Sequence, residues 1–163
     1  MELGEKLRLA RLEAGLTQRQ LCGDTITRNM LSQIESGKAG PSVATLQYLA
    51  RQAYAARNYE AVLQFLSQYQ GADPLFDEEY SYLLALASLE QAGRCLEQGA
   101  PLEAEKLLEK LPRSSIYYRE EMERRRKQLL RKTYEQLEQD YKNREDFRQA
   151  YQYACKARTL SSR

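Results

Sequence analysis

The sequence contains no histidine and no tryptophan, and its three cysteines, Cys22, Cys95 and Cys155, stand far apart. Without histidine the commonest general base and metal ligand is missing, and isolated cysteines form no CxxC pair that could hold zinc. Neither a metal site nor a disulfide framework is expected; reduced thiols, buried or half-buried, are. There is no phosphate-cradling glycine loop, no Ser or Cys stands beside a plausible base, and the adjacent Asp77 and Glu78 at a helix start would point different ways. The chain is therefore expected not to be an enzyme and to need no cofactor. No apolar run approaches the roughly 20 residues that a membrane span needs, and no signal peptide is visible. A cytoplasmic protein without a membrane partner is the expectation.

What the sequence does hold is helix punctuation. At 163 residues with 42% apolar content, it can build one large domain or two small ones. "KLRLARLEAGLTQRQL" reads as a helix with Leu7, Leu9 and Leu12 among its apolar positions, stopped at Gly15 and followed by a short helix capped by Thr17. In "TITRNMLSQIESGKAGPS", Thr27 is an N-cap candidate and Gly37 can take the left-handed conformation that ends a helix. Met30, Leu31 and Ile34 recur at helical spacing and are predicted to face the core. That leaves Arg28, Asn29, Ser32 and Gln33 outward, a face rich in hydrogen-bonding groups and poor in acid. Arg pairs with guanine, and Asn or Gln with adenine, through the major groove. Pro41 and Ser42 then open "VATLQYLARQ", whose apolar stripe is Val43, Leu46 and Leu49. Four short helices thus fill the first fifty or so residues, the second and third joined by a tight turn around Gly23 and Asp24.

"LRLARLEAGLTQRQL…ITRNMLSQIESGKAGPSVATLQYLA" resembles the phage-repressor-like (XRE) family of DNA-binding domains over about residues 3 to 51. It shares that family's Leu-Thr-Gln at the second helix, its Ser-x-Ile-Glu-x-Gly ending to the third and its Pro-Ser into the fourth. The resemblance makes residues 27 to 36 a recognition helix, with Arg28, Asn29 and Gln33 on base edges of double-stranded DNA. It places Thr17, Gln18 and Lys38 near phosphates. It also implies that Glu35, misplaced as a DNA contact, is a structural partner of Arg11. The turn at "CGDTI" is about one residue shorter than the family's. Charge agrees: residues 1–52 hold seven Lys or Arg against five Asp or Glu, and residues 53–163 hold eighteen of each. The excess is small, so two linked copies are expected to share an operator.

In the second half three stretches repeat a pattern: "RNYEAVLQFLSQY", "GAPLEAEKLLEKL" and "EDFRQAYQYACKA". Aligned at their turns, they place Val62, Ala104 and Ala150 at equivalent small positions, 42 and then 46 residues apart. Each follows a longer helical segment: one ending near Ala56, one from about Phe76 to Gln98, one from about Ile116 to Lys142. The expected fold is all-α: a four- to five-helix DNA-binding domain over residues 1–52, then an α-solenoid of about three helix pairs over residues 53–163. At the junction, either the fourth helix continues as the first repeat helix or a linker is missing.

"AYAARNYEAVLQFLSQYQGADP" resembles a tetratricopeptide repeat, with Tyr54 in its first helix, an Asn-Tyr turn and a closing Pro74; the later two pairs are tetratricopeptide-like. The combination is similar to the RNPP group of peptide-pheromone receptors, whose repeat domain dimerises and binds a short peptide. The resemblance implies a transcription regulator acting as a homodimer, with dimerisation, a protein partner or a short peptide at the repeats. The alternative from another class is a tetratricopeptide-like interaction scaffold without DNA binding. The twelve tyrosines are expected to be packing material rather than a ligand cage. In the last repeat Phe147, Tyr151 and Ala154 are expected to pack on the preceding helix, leaving Tyr153 and Leu160 outward for a two-fold partner to cover. The run "EEMERRRKQLLRK" reads as a solvated helix face, or as a patch of Arg124, Arg125, Lys127 and Arg131 for an acidic partner or flanking DNA.

Overall fold

Helix boundaries in the first half are set by side-chain caps. In the computed structural model, Thr17, Thr27, Ser42 and Asn58 each accept a backbone N–H three residues ahead, and each opens a helix. The structure describes residues 3–13, 15–69, 74–113 and 117–161. Among these there are nine helices: α1 (Leu3–Glu13), α2 (Gln18–Cys22), α3 (Arg28–Glu35), α4 (Val43–Ala55), α5 (Tyr59–Leu66), α6 (Pro74–Glu97), α7 (Pro101–Glu109), α8 (Glu120–Asn143) and α9 (Phe147–Ser161). No strand occurs among the described residues, and none of these helices is long and apolar enough to cross a membrane. The chain is all-α, with the helix-turn-helix first and helix pairs after it.

Two compact units divide within α6, Met1–Ala87 and Ser88–Arg163. In the first, Leu7, Leu21, Ile26, Leu31, Ile34, Leu46 and Leu49 share one buried cluster with Val62, Phe65, Leu66 and Phe76. The helix pair α4–α5 therefore closes the core beneath the helix-turn-helix. Helix α4 runs unbroken from Val43 to Ala55, so the fourth helix itself continues as the first helix of the first pair. Arg51 and Gln47 both donate to the Glu79 carboxylate, tying α4 to the start of α6. Their hydrogen bonds, Arg51's foremost, hold that carboxyl below its ordinary range.

Three expected core positions lie elsewhere. Leu9 and Leu12 are 41% and 53% exposed, and Met30 is 42% exposed. The inward line of α1 is instead Gly4, Leu7 and Arg11, at i, i+3 and i+7, which turns Leu9 and Leu12 off the core. Gly4 is buried so tightly against the end of α3 that a Cβ would stand 2.0 Å from the Ile34 carbonyl oxygen. In α3, Leu31, Ile34 and Glu35 form the buried side, and Met30 falls outside that arc.

The three inter-helix turns of the pairs share one geometry. Arg57, Gly99 and Glu145 all have positive φ, near 56°, 73° and 60°. At each, the N–H of that residue reaches back three residues and the next N–H reaches back five, the bonding of a Schellman stop. The following residue then starts the next helix: Asn58 and Asp146 cap it with their side chains, while Ala100 does so without a side-chain bond. Val62, Ala104 and Ala150 are buried four residues beyond.

In the second unit, α7, α8 and α9 enclose Leu108, Leu111, Leu130, Leu137 and Ala157. Helix α8 begins at Glu120; the expected start at Ile116 lies outside the described residues. The orientation of α9 corrects the sequence reading. Ala150, Tyr153 and Ala157 turn inward, whereas Phe147 and Tyr151 are 68% and 69% exposed. Small Ala150 and Ala157 allow α9 to approach closely. Tyr153 stacks on Tyr141 and donates to Glu105, whose carboxylate also holds Lys156 at 2.7 Å. That bonded set outweighs the burial of Phe147 at the helix's first turn. The basic run is largely paired within the unit: Arg124 with Glu120, Arg125 with Glu90, Arg126 with Glu123 and the Leu108 carbonyl, Arg131 with Glu135. Cys22 and Cys95 are buried and Cys155 is half-buried, and none of them forms a disulfide among the described residues.

Candidate nucleic-acid interface

Two helices and a turn present the polar face. Helix α2 opens with a capping box in which Thr17 accepts from the Gln20 N–H while the Gln20 side chain accepts from the Thr17 N–H. It ends at Gly23, whose φ is positive and where a Cβ would meet the Tyr48 hydroxyl at 2.6 Å. Tyr48 donates to the Leu21 carbonyl at 3.0 Å, so a residue of α4 clamps the turn, and burial raises that phenol's pKa. Helix α3 then starts under the Thr27 cap and closes at Gly37, where the Lys38 N–H reaches the Gln33 carbonyl.

On α3 the side chains of Arg28, Asn29, Ser32 and Gln33 are exposed. Arg28, Asn29 and Gln33 have no side-chain hydrogen bond or ion pair within the described residues, so their donors and acceptors are available to a ligand. Lys38 is likewise exposed, in the loop after α3. Thr17 and Gln18 differ: the Thr17 hydroxyl donates to Gln20, and the Gln18 amide donates to Glu35 at 2.8 Å. Both lie beside α3, but with these donors engaged inside the chain.

The Glu35 carboxylate is the hub behind that face. Arg11 meets it through two hydrogen bonds, Nε to Oε1 at 2.6 Å and the second guanidinium nitrogen to Oε2 at 3.0 Å, and a third donor of Arg11 reaches the Leu16 carbonyl. Both side chains are nearly withdrawn from water, at 9% and 5% exposure. Burial alone would raise the Glu35 pKa, but the bonds from Arg11 and Gln18 outweigh it and hold the carboxyl below its ordinary range. The same carboxylate raises the Arg11 pKa, so the pair is ionised at any physiological pH. One residue each from α1, α2 and α3 is thereby locked together.

Above this pair lies a cleft of about 230 Å³ lined by Arg8, Arg11, Gln18, Ser32, Glu35 and Ser36. Arg8 was not among the residues singled out from sequence. Its signal was its spacing, three residues before Arg11, which puts both cations on one side of α1. Met30, displaced from the core, is the other addition, an apolar side chain beside Asn29.

A family model described as a helix-turn-helix domain matches residues 2–57, about a third of the chain, and spans every residue of this face. No curated protein and no solved structure matches the chain.

Proposed function

We propose that the chain is a sequence-specific DNA-binding transcription regulator of the phage-repressor-like type, reading an operator with α3. The observation that carries this reading is the combination of a braced helix-turn-helix with three unengaged readers, Arg28, Asn29 and Gln33, on its outer side. A solvated helix face would do no work with such a set, whereas in a major groove each can pair with base edges. Lys38 and the exposed Arg8 supply phosphate charge, and Thr17 and Gln18 flank the same backbone while holding the turn rigid. Arg11 and Glu35 are a structural pair, not a DNA contact.

The helix pairs serve, in this proposal, as a tetratricopeptide-like module that makes a cytoplasmic homodimer. Exposed Phe147 and Tyr151 on α9 are the face assigned to the second copy. A single domain with an excess of two positive charges releases few counterions, so one copy alone would hold an operator weakly. The repeats also offer a place for a short peptide or a protein partner, as in the RNPP receptors. No catalytic role is assigned. The second reading, an interaction scaffold without DNA binding, draws on the same exposed α9 face. In vitro selection of duplex DNA by the full chain, followed by substitution of the α3 readers, separates the two.

A further inference from the structure

Met30 is the apolar exception on α3. Arg28, Asn29, Ser32, Gln33 and Ser36 are all exposed and polar, and Met30 stands at the edge of that set, next to Gln33, at 42% exposure. It lies one residue from Asn29 and three from Gln33, on the side of the helix away from Arg28. Its backbone is fixed: the Met30 N–H donates to the Thr27 side chain at 3.2 Å, and the Leu31 N–H to the Thr27 carbonyl at 3.0 Å. Only the unbranched thioether chain remains adaptable.

Resting on the reading of α3 as a recognition helix, we infer that Met30 is a specificity-determining residue that contacts the 5-methyl group of a thymine in the major groove. Recognition helices present their N-terminal residues to base edges, and Met30 is in the first turn of an eight-residue helix. Of the groups that base pairs show in that groove, the thymine methyl is the apolar one, and it is recognised by apolar contact. Arg28, Asn29 and Gln33 can read guanine and adenine but offer nothing to that methyl. Met30 supplies the missing chemistry, and both partners leave water when they meet.

The test uses the full chain and its own selected duplex, with each thymine replaced in turn by uracil, which deletes only the methyl. At one thymine the wild type should lose about four-fold in affinity, the worth of one buried methyl-sized group. Met30→Ala should lose a similar amount on the thymine duplex and nothing more on the uracil duplex, whereas Met30→Leu should keep the preference. Thermal melts of both variants check that the exposed position leaves the fold intact. The inference is overturned if no uracil substitution weakens the wild type, or if Met30→Ala weakens thymine and uracil duplexes alike. Failure of the chain to enrich any sequence is a separate result: it removes the DNA reading itself, and the role of Met30 with it.

Discussion

Arg11 and Glu35 show how one buried ion pair can organise a surface it does not belong to. A carboxylate at the end of α3 would repel a phosphate backbone; joined to Arg11 and Gln18 it becomes a brace across α1, α2 and α3. Removing one partner leaves a buried charge uncompensated, at a cost of about 3–5 kcal/mol, whereas removing both costs less. Chemical denaturation of Arg11→Met, Glu35→Gln and the double variant should show that order; a double variant as unstable as the sum of the singles would contradict it. Because the Glu35 pKa is depressed on folding, its stabilisation is complete above the ordinary carboxylate range and is lost as pH falls through the lower folded value. Glu35→Gln should therefore flatten the acid limb of the stability profile. Residue by residue, the sequence exposed what depends on type and spacing: the caps at Thr17 and Thr27, and the polar set on α3. It hid what depends on which side of a helix meets its neighbour. Gly4 and Arg11 join Leu7 on the inner line of α1 in place of Leu9 and Leu12, because contact there is close and polar; apolar counting finds neither, and only the family resemblance pointed to Arg11, as the partner of Glu35.

At the scale of the element, the three repeat turns carry the clearest regularity. The sequence alignment found the equivalence of Val62, Ala104 and Ala150, since small residues mark close helix approach. It did not find that Arg57 and Glu145 occupy the left-handed conformation that glycine takes at position 99. A side chain there costs roughly 1 kcal/mol, partly recovered because glycine also loosens the unfolded chain. Glu145→Gly should thus stabilise by up to about 1 kcal/mol and Gly99→Ala should destabilise by about as much. Thermal unfolding shifts of opposite sign are expected; equal signs would mean that turn strain is not what separates these positions. Helix α9 was legible as an element but not in its rotation. Two tyrosines two residues apart, Tyr151 and Tyr153, compete for the inward direction, and the Glu105 and Tyr141 contacts that decide for Tyr153 come from other helices.

For the whole molecule, the rotation of α9 moves the expected partner surface from Tyr153 and Leu160 to Phe147 and Tyr151. Sedimentation of the full chain at tens of micromolar should give a dimer, and Phe147→Glu with Tyr151→Glu should give a folded monomer whose operator affinity falls steeply. A dimer untouched by both changes would place the contact elsewhere. If two copies share an operator, selected sites should carry two half-sites one DNA turn, about 34 Å, apart. Base reading by α3 is checked by binding of the full chain to its selected duplex over a salt series. Asn29→Ala and Gln33→Ala should each lose roughly 1–3 kcal/mol and relax base preference, while Lys38→Ala should weaken every sequence alike and reduce the salt slope by about 1. Asn29→Ala and Gln33→Ala variants that keep the wild-type affinity and base preference would take α3 out of the groove.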